Sequence, residues 1–480
     1  MKLRVGLIML GAGLLLLGLF FILYNPNAVL QEAAKTPSAT DTSPAETQTV
    51  DPAQVALFLA SFNERYAELR FRWQTRLYQF RSDSSRTDRY QVEAAHRTLL
   101  EFAGLPENLA AVREYYPLLT LPDLQDRQLA VIRRLAALRP GDLPAPLLDV
   151  LHEPVSDPRK LPELFRVRNQ AARSLGYGSY LELMADDLDL DRAAWIRLLK
   201  SLLEVGSPLQ ERIRAALSAV PVGGTDPTQT TDRPARALAF WRELDLPTLP
   251  PSPQPAPETL DDVSREQARL ACKDAGLPPL LRGPSCRAFA RAMVHLADLG
   301  ARSVPRENLT AEQLAYRLLQ ESADGPVMEI PLYAGAYLDW LVQLDRGLLA
   351  PPMVLEKFRR YVVEQSLADA PGREDVPAAT TLPEAAFGRD AEPVAPLDDI
   401  LGWAIAHQLH RYICTRLLQT DVHRADYRHD PRVGDFLLGI LRQGKGKDWQ
   451  VILRQATGED FDPGAMSQYY QPLIDDLASR

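Results

Sequence analysis

Residues 399–480 read DILGWAIAHQLHRYICTRLLQTDVHRADYRHDPRVGDFLLGILRQGKGKDWQVILRQATGEDFDPGAMSQYYQPLIDDLASR. The apolar pattern over 397–419 predicts a helix. Asp448 stands where it can cap a helix DWQVILRQAT, and Gly458 stands where that helix must close. Asp462-Pro463 then supplies a cap and a first-turn proline for a last helix ending near Leu477. The block is helical throughout and carries several histidines.

The same periodicity extends through most of the chain. From Asp51-Pro52, residues Val55, Phe58, Leu59, Phe62, Tyr66, Leu69, Trp73, Leu77 and Phe80 recur at spacings of three and four, one apolar stripe of a long helix. Further helical patterns cover 88–103, 123–137, 159–176, 190–218, 286–299, 310–321, 333–347 and 353–367, and strand signals are sparse. Thirty-nine prolines fall mostly between these segments. Loops at 219–262 and 369–396 are long for a compact domain and read as functional or mobile. The expected fold is mainly α, one large multi-helix body over 53–480; at 480 residues the length alone would also allow about three domains.

The amino terminus differs. Lys2 and Arg4 precede an uncharged run, Val5–Tyr24, VGLIMLGAGLLLLGLFFILY, long enough to cross about 30 Å of hydrocarbon as a helix. The next basic residue is Lys35, so the positive-inside rule leaves the amino terminus in the cytoplasm and the body outside an inner membrane. A cleaved signal peptide is the rival, but cuts after Ala28, Ala33 or Ala34 put Pro26, Gln31 or Glu32 three positions back. We therefore expect residues 1–24 to be a retained transmembrane signal anchor. Residues 25–52, rich in Pro, Ser, Thr and Ala, read as a disordered linker.

A net charge of −9 offers no footprint for nucleic acid. Of three cysteines, Cys272 and Cys286 are near enough in sequence for a disulfide, with Cys414 left over; three buried thiols are the equal alternative. The run DDLDLD at 186–191 lacks the glycine and terminal glutamate of a calcium loop and reads as a helix-capping turn. Asn308-Leu309-Thr310 is a chance sequon by default. No phosphate loop or GxSxG elbow is present.

Several islands resemble, in order, the angiotensin-converting-enzyme family of zinc dipeptidyl carboxypeptidases. FLASFNERYAELRFRWQTRLYQF (58–80) is similar to its opening lid helix, RVRNQAARSLGYGSYLELMADDLDLD (167–192) to its RNEAARLNGF segment, and ARALAFWRELDLPTLPPS (235–252) to the stretch before its cleft. HQLHRYIC resembles the QFHxxLC helix, with His410 and Cys414 in place, and the 448–480 segments resemble the closing helices. The resemblance implies a peptidase-like helical body with a central cleft, and zinc chemistry through HExxH plus a downstream glutamate.

The chain has no HExxH. Three registers for that helix can be written. The first puts its motif on Leu319, Gln320, Glu321, Ser322 and Ala323, which makes Leu319, Gln320 and Ala323 the vestigial zinc-motif positions. The second makes Glu329 the third ligand and places the motif on 301–305. The third begins at His295, with Leu296 for the base and Leu299 for the second histidine. The first satisfies both a cysteine spacing and a helical pattern and is preferred. The resemblance also puts Arg287 where the family has histidine, Pro396 and Asp399 where it has two substrate tyrosines, and Ala425 where Cys414 would find a partner.

His407 and His410, spaced i, i+3, and His423, Asp426 and His429 could ligate a metal if each set shared a helix face, but the resemblance makes both structural. The sequence therefore predicts a pseudo-peptidase with no cofactor and no catalytic residues, binding a peptide or an envelope protein. The alternatives are an active zinc peptidase using His407, His410 and Glu321 or Glu329, and a structural helical envelope protein unrelated to peptidases.

Overall fold

The computed structural model describes residues 51–82, 89–115, 123–137, 173, 177–178, 186–188, 190–219, 244, 268–269, 271–300, 308–324, 326–331, 333–335, 337–338, 395–427 and 429–480. No strand occurs among them. The apolar run 5–24, the linker 25–52 up to residue 50, and the expected helices over most of 159–176 and all of 353–367 lie outside the described residues, as do nearly all of the two long loops. Among the described residues no helix is long and apolar enough to cross a membrane.

The first helices form a layer of their own. Helix α1 (Pro52–Ser82) packs along α2 (Arg89–Ala103), followed by α3 (Pro106–Tyr115) and α4 (Asp123–Ala137). Val55, Leu59, Phe62, Tyr66 and Leu69 are the buried face of α1, as their spacing requires. Asn63 within that face is satisfied on three sides: its amide donates to Leu59 O at 2.7 Å and to Gln128 Oε1 on α4 at 2.6 Å, and its carbonyl accepts from Leu280 N at 3.0 Å. One side chain thus joins α1 to α4 and to the helical turn Pro279–Leu281.

The central layer begins with α5 (Arg192–Ser218), capped by Asp191, whose side chain accepts from Ala194 N at 2.6 Å. The last aspartate of DDLDLD is therefore a helix cap. Then come α6 (Arg287–Gly300) and α7 (Ala311–Asp324). Thr310 and Gln313 exchange side-chain bonds with each other's backbone N–H, a capping box that starts α7.

Helix α8 (Ala395–Tyr412) is the axis of the core: Leu397, Ile400, Leu401, Trp403, Ala404, Ile405, Ala406 and Leu409 are buried around it. A helix apolar on every side must be enclosed, and its main partner is α6. Gly402 permits the approach, since a Cβ there would lie 2.5 Å from Arg291 Cβ and 2.8 Å from Ala288 O. The helix continues as a wider π turn, Ile413–Leu418.

Helices α9 (Pro431–Leu441), α10 (Trp449–Thr457) and α11 (Gly464–Ser479) close the body. Asp448 caps α10 through Gln450 N at 2.7 Å, and Gly458 ends it at φ +77°. Asp462 Oδ1 accepts from Gly464 N at 2.8 Å at the head of α11. Trp449 Nε1 donates to Leu188 O at 2.8 Å and Tyr470 OH to Glu321 O at 3.0 Å, tying these last helices to the central layer.

Candidate functional site

Two stripes with a four-residue repeat meet an adjacent pair of aspartates at the start of α8. Helix α6 presents Arg287, Arg291 and His295; the segment 326–338 carries Glu329, Tyr333 and Tyr337; α8 contributes the adjacent Asp398 and Asp399. Residues four apart on a helix lie one above the other, so each stripe is a column.

Each column is held firmly. Gln210 Nε2 on α5 donates to Met328 O at 2.6 Å, which fixes the helical turn Pro326–Glu329. Gly206 on α5 lets Ile330 seat against it: a Cβ there would lie 2.3 Å from Ile330 Cγ2. His295 packs edge-on with Trp403 of α8, ring centroids 4.6 Å apart.

The polar contacts divide the two aspartates. Arg287 Nε lies 2.8 Å from Asp398 Oδ2, a largely buried pair. Asp399 Oδ1 lies 3.0 Å from His295 Nε2 and 3.8 Å from Arg291 Nε. A carboxylate only accepts, so His295 carries a proton on Nε2; its buried Nδ1 has no hydrogen-bond partner among the described residues.

Glu329 retains exposed surface, yet its carboxyl pKa is raised, first by desolvation and then by the charge of Asp399. Tyr333 beneath it is buried, and its hydroxyl is held protonated by desolvation, then by Glu329 and Asp399. Tyr337 is shifted the same way by burial, with Tyr333 and Asp398 adding to it and Arg287 opposing.

The sequence-derived registers fare unequally. The preferred one falls on α7, where Leu319 is half-buried and Gln320 and Ala323 are described only by their backbone. The neighbouring Glu321 is buried, with Oε1 2.7 Å from Arg317 Nε, and helps knit α7 to α11. It is the other two registers whose residues meet: His295 from the third and Glu329 from the second both lie beside Asp399. The second register's motif, 301–305, lies outside the described residues. Leu296 and Leu299 are core residues.

The remaining histidines are scaffold. His410 Nε2 donates to Val422 O at 2.8 Å, so its Nδ1 accepts the Tyr427 hydroxyl in a short bond; both nitrogens are occupied. His407 Nδ1 donates to Trp403 O at 2.9 Å, and its ring packs on Trp403, Tyr469 and Tyr470. His423 stacks on Tyr469 in a turn, and His429 sits at φ +64°, so the HxxDxxH spacing makes no helix face. Among the described residues, no group of three His, Cys, Asp or Glu side chains is placed to hold a metal ion.

All three cysteines are buried thiols, so the bridge between Cys272 and Cys286 is not formed. Cys272 Sγ instead contacts Leu441 O at 3.2 Å and Gly283 O at 3.5 Å. Burial pushes the Cys414 thiol up to about 12. Ala425 is buried.

Sequence reasoning missed Asp399 as the partner of His295, and Arg291, Tyr333 and Trp403 altogether. The i, i+4, i+8 repeats 287–291–295 and 329–333–337 are visible in the sequence and could have flagged two of the columns. Nothing in the sequence says that they face each other.

Residues 397–480, from the first turn of α8 to the last residue, match the peptidase family described as angiotensin-converting enzyme. A comparison with curated proteins finds no match. The matched block is the one in which Arg411 binds Glu459, Asp462 and Gln468 at 2.6–2.9 Å, and Gln408 clasps the loop before α11 through Asp460 O and Asp462 N. Over these carboxy-terminal helices the chain is similar to the angiotensin-converting-enzyme family of peptidases.

Proposed function

We propose that this chain is a membrane-anchored, extracytoplasmic pseudo-peptidase that binds a peptide or an envelope protein without cleaving it. The observation that carries the reading is the state of the His295–Glu329–Asp399 meeting point. Zinc peptidase chemistry needs two imidazoles and a carboxylate on the metal and a further glutamate as base. Among the described residues a single imidazole enters, its Nε2 is committed to Asp399, and leucines stand at the companion positions of its register. Groups of that kind act as a unit, so losing several together removes the reaction.

The apolar run 5–24 and the linker 25–52 support an anchored body held off the membrane. An active site built on His407, His410 and Glu321 is disfavoured because both His410 nitrogens and Glu321 are already engaged.

The test is zinc analysis of the full chain purified in detergent, combined with peptide-hydrolysis and peptide-binding assays. We expect substoichiometric zinc, no hydrolysis and measurable binding. One zinc per chain with chelator-sensitive hydrolysis would overturn the proposal.

A further inference from the structure

Three buried imidazoles surround one tyrosine ring. The Tyr469 ring centroid on α11 lies 4.9 Å from that of His407, 5.6 Å from that of His410 and 4.5 Å from that of His423. His407 and His410 stand on α8 and His423 in the turn 419–427, and none of the three is more than 2% exposed. The cluster is therefore a junction of three segments: α8, the turn and α11.

Its hydrogen bonds suit neutral rings. His410 donates from Nε2 to Val422 O and accepts the Tyr427 hydroxyl on its Nδ1 lone pair. A second proton would take that lone pair away. His407 donates from Nδ1 to Trp403 O, and its ring is enclosed by Trp403, Tyr469 and Tyr470. A charge placed among these rings would lose its hydration.

The ionisable groups on the surrounding elements give such a charge little compensation. Burial keeps the Cys414 thiol and the Tyr427 hydroxyl protonated. In the turn, Asp421 is exposed and accepts from the His423 backbone N–H at 2.8 Å, and Arg424 and Asp426 are exposed beside it. Helix α7 brings Glu321, paired with Arg317, and the loop before α11 brings Glu459 and Asp462, paired with Arg411. Helix α6 carries the half-buried Asp298 and His295, the latter bonded to Asp399, and α9 carries the exposed Asp435.

We propose that His407, His410 and His423 form an acid-sensitive latch that fastens α11 and the turn 419–427 to α8 and lets both go when the imidazoles are protonated. A released imidazole takes up a proton as pH falls through about 6.5. An enclosed one does not, so the released state binds more protons, and the latch holds above that pH and weakens below it. Each imidazole contributes about tenfold to the release equilibrium between pH 7.5 and 5.5. Glu329 acts with the opposite sign, because its raised pKa favours proton uptake by the folded state.

The experiment is hydrogen–deuterium exchange of the full chain in detergent at pH 7.5 and 5.5, read as protection factors corrected for the intrinsic rate. We expect protection of 419–427 and 464–479 to fall at least tenfold at pH 5.5 while α1 and α2 keep theirs. His410→Gln retains a donor and an acceptor, His407→Phe retains the ring packing, and each should lose clearly less protection in acid than the unsubstituted chain. Equal protection at both pH values would overturn the latch, and so would a loss shared equally by α1 and α2. The same acid loss in both variants as in the unsubstituted chain would overturn it too. The first two outcomes need no variant, so the test stands even where a substitution prevents folding.

Discussion

His295 Nε2 donates to Asp399 Oδ1 at 3.0 Å across 104 positions of sequence. The bond joins α6 to α8 and, among the described residues, is the hydrogen bond that orients the imidazole. It also holds in place Asp399, whose charge acts on Glu329.

That field gives a pH-dependent stability with a definite sign. The Glu329 pKa is raised above its ordinary 4.5, so the folded state prefers the protonated form more than the unfolded state does. Ionisation therefore destabilises the fold above the folded pKa, and the penalty fades as pH falls to 4.5 and below. Glu329→Gln should raise stability at neutral pH, by less than about 1 kcal/mol because solvent screens an exposed group. Urea unfolding of both proteins at pH 7 and near pH 4 checks this; a variant less stable at pH 7 would contradict it.

The Tyr427 hydroxyl donates to His410 Nδ1, and both groups are buried. Tyr427→Phe removes that hydroxyl donor and should cost about 1–3 kcal/mol in equilibrium unfolding. A loss near zero would mean that His410 finds another donor and is less constrained than its geometry implies.

Gly402 stands where α6 and α8 come closest. Gly402→Ala would gain helix propensity elsewhere, but here the methyl meets Ala288 O and Arg291 Cβ and forces the helices apart. We expect a net loss of about 1–3 kcal/mol, read as a lowered melting temperature. A stabilised variant would show that the two helices have room to slide.

The cysteines predict a thiol count. A buried thiol whose pKa is pushed up to about 12 has almost no thiolate at neutral pH, and Cys272 is shifted upward by burial too. An aromatic disulfide reagent should label none of them in the native protein at pH 7.5. All three should react in denaturant without reductant. A single reactive thiol there would instead indicate a bridge between Cys272 and Cys286.

Much of the architecture was legible before folding. The stripe of α1, the span of α4 at 123–137, the Asp448 and Gly458 ends of α10, and the Asp191 cap all follow from local rules. These features depend on residues within one or two turns, where periodicity and capping chemistry act. What was not legible is which distant side chains pair: His295 and Asp399 lie 104 positions apart, and no local rule links them.

The sequence by itself determined a helical body, its caps, the resemblance of residues 397–480 and the lack of HExxH, because each is a matter of short-range pattern or residue identity. The tertiary structure alone decided that His295 pairs with Asp399 and that Arg287 pairs with Asp398. Those outcomes depend on how α6 and α8 close over Gly402. Helix faces record which residues are buried, but burial alone carries no address for the partner. Only packing in three dimensions brings His295 and Asp399 together across 104 positions of sequence.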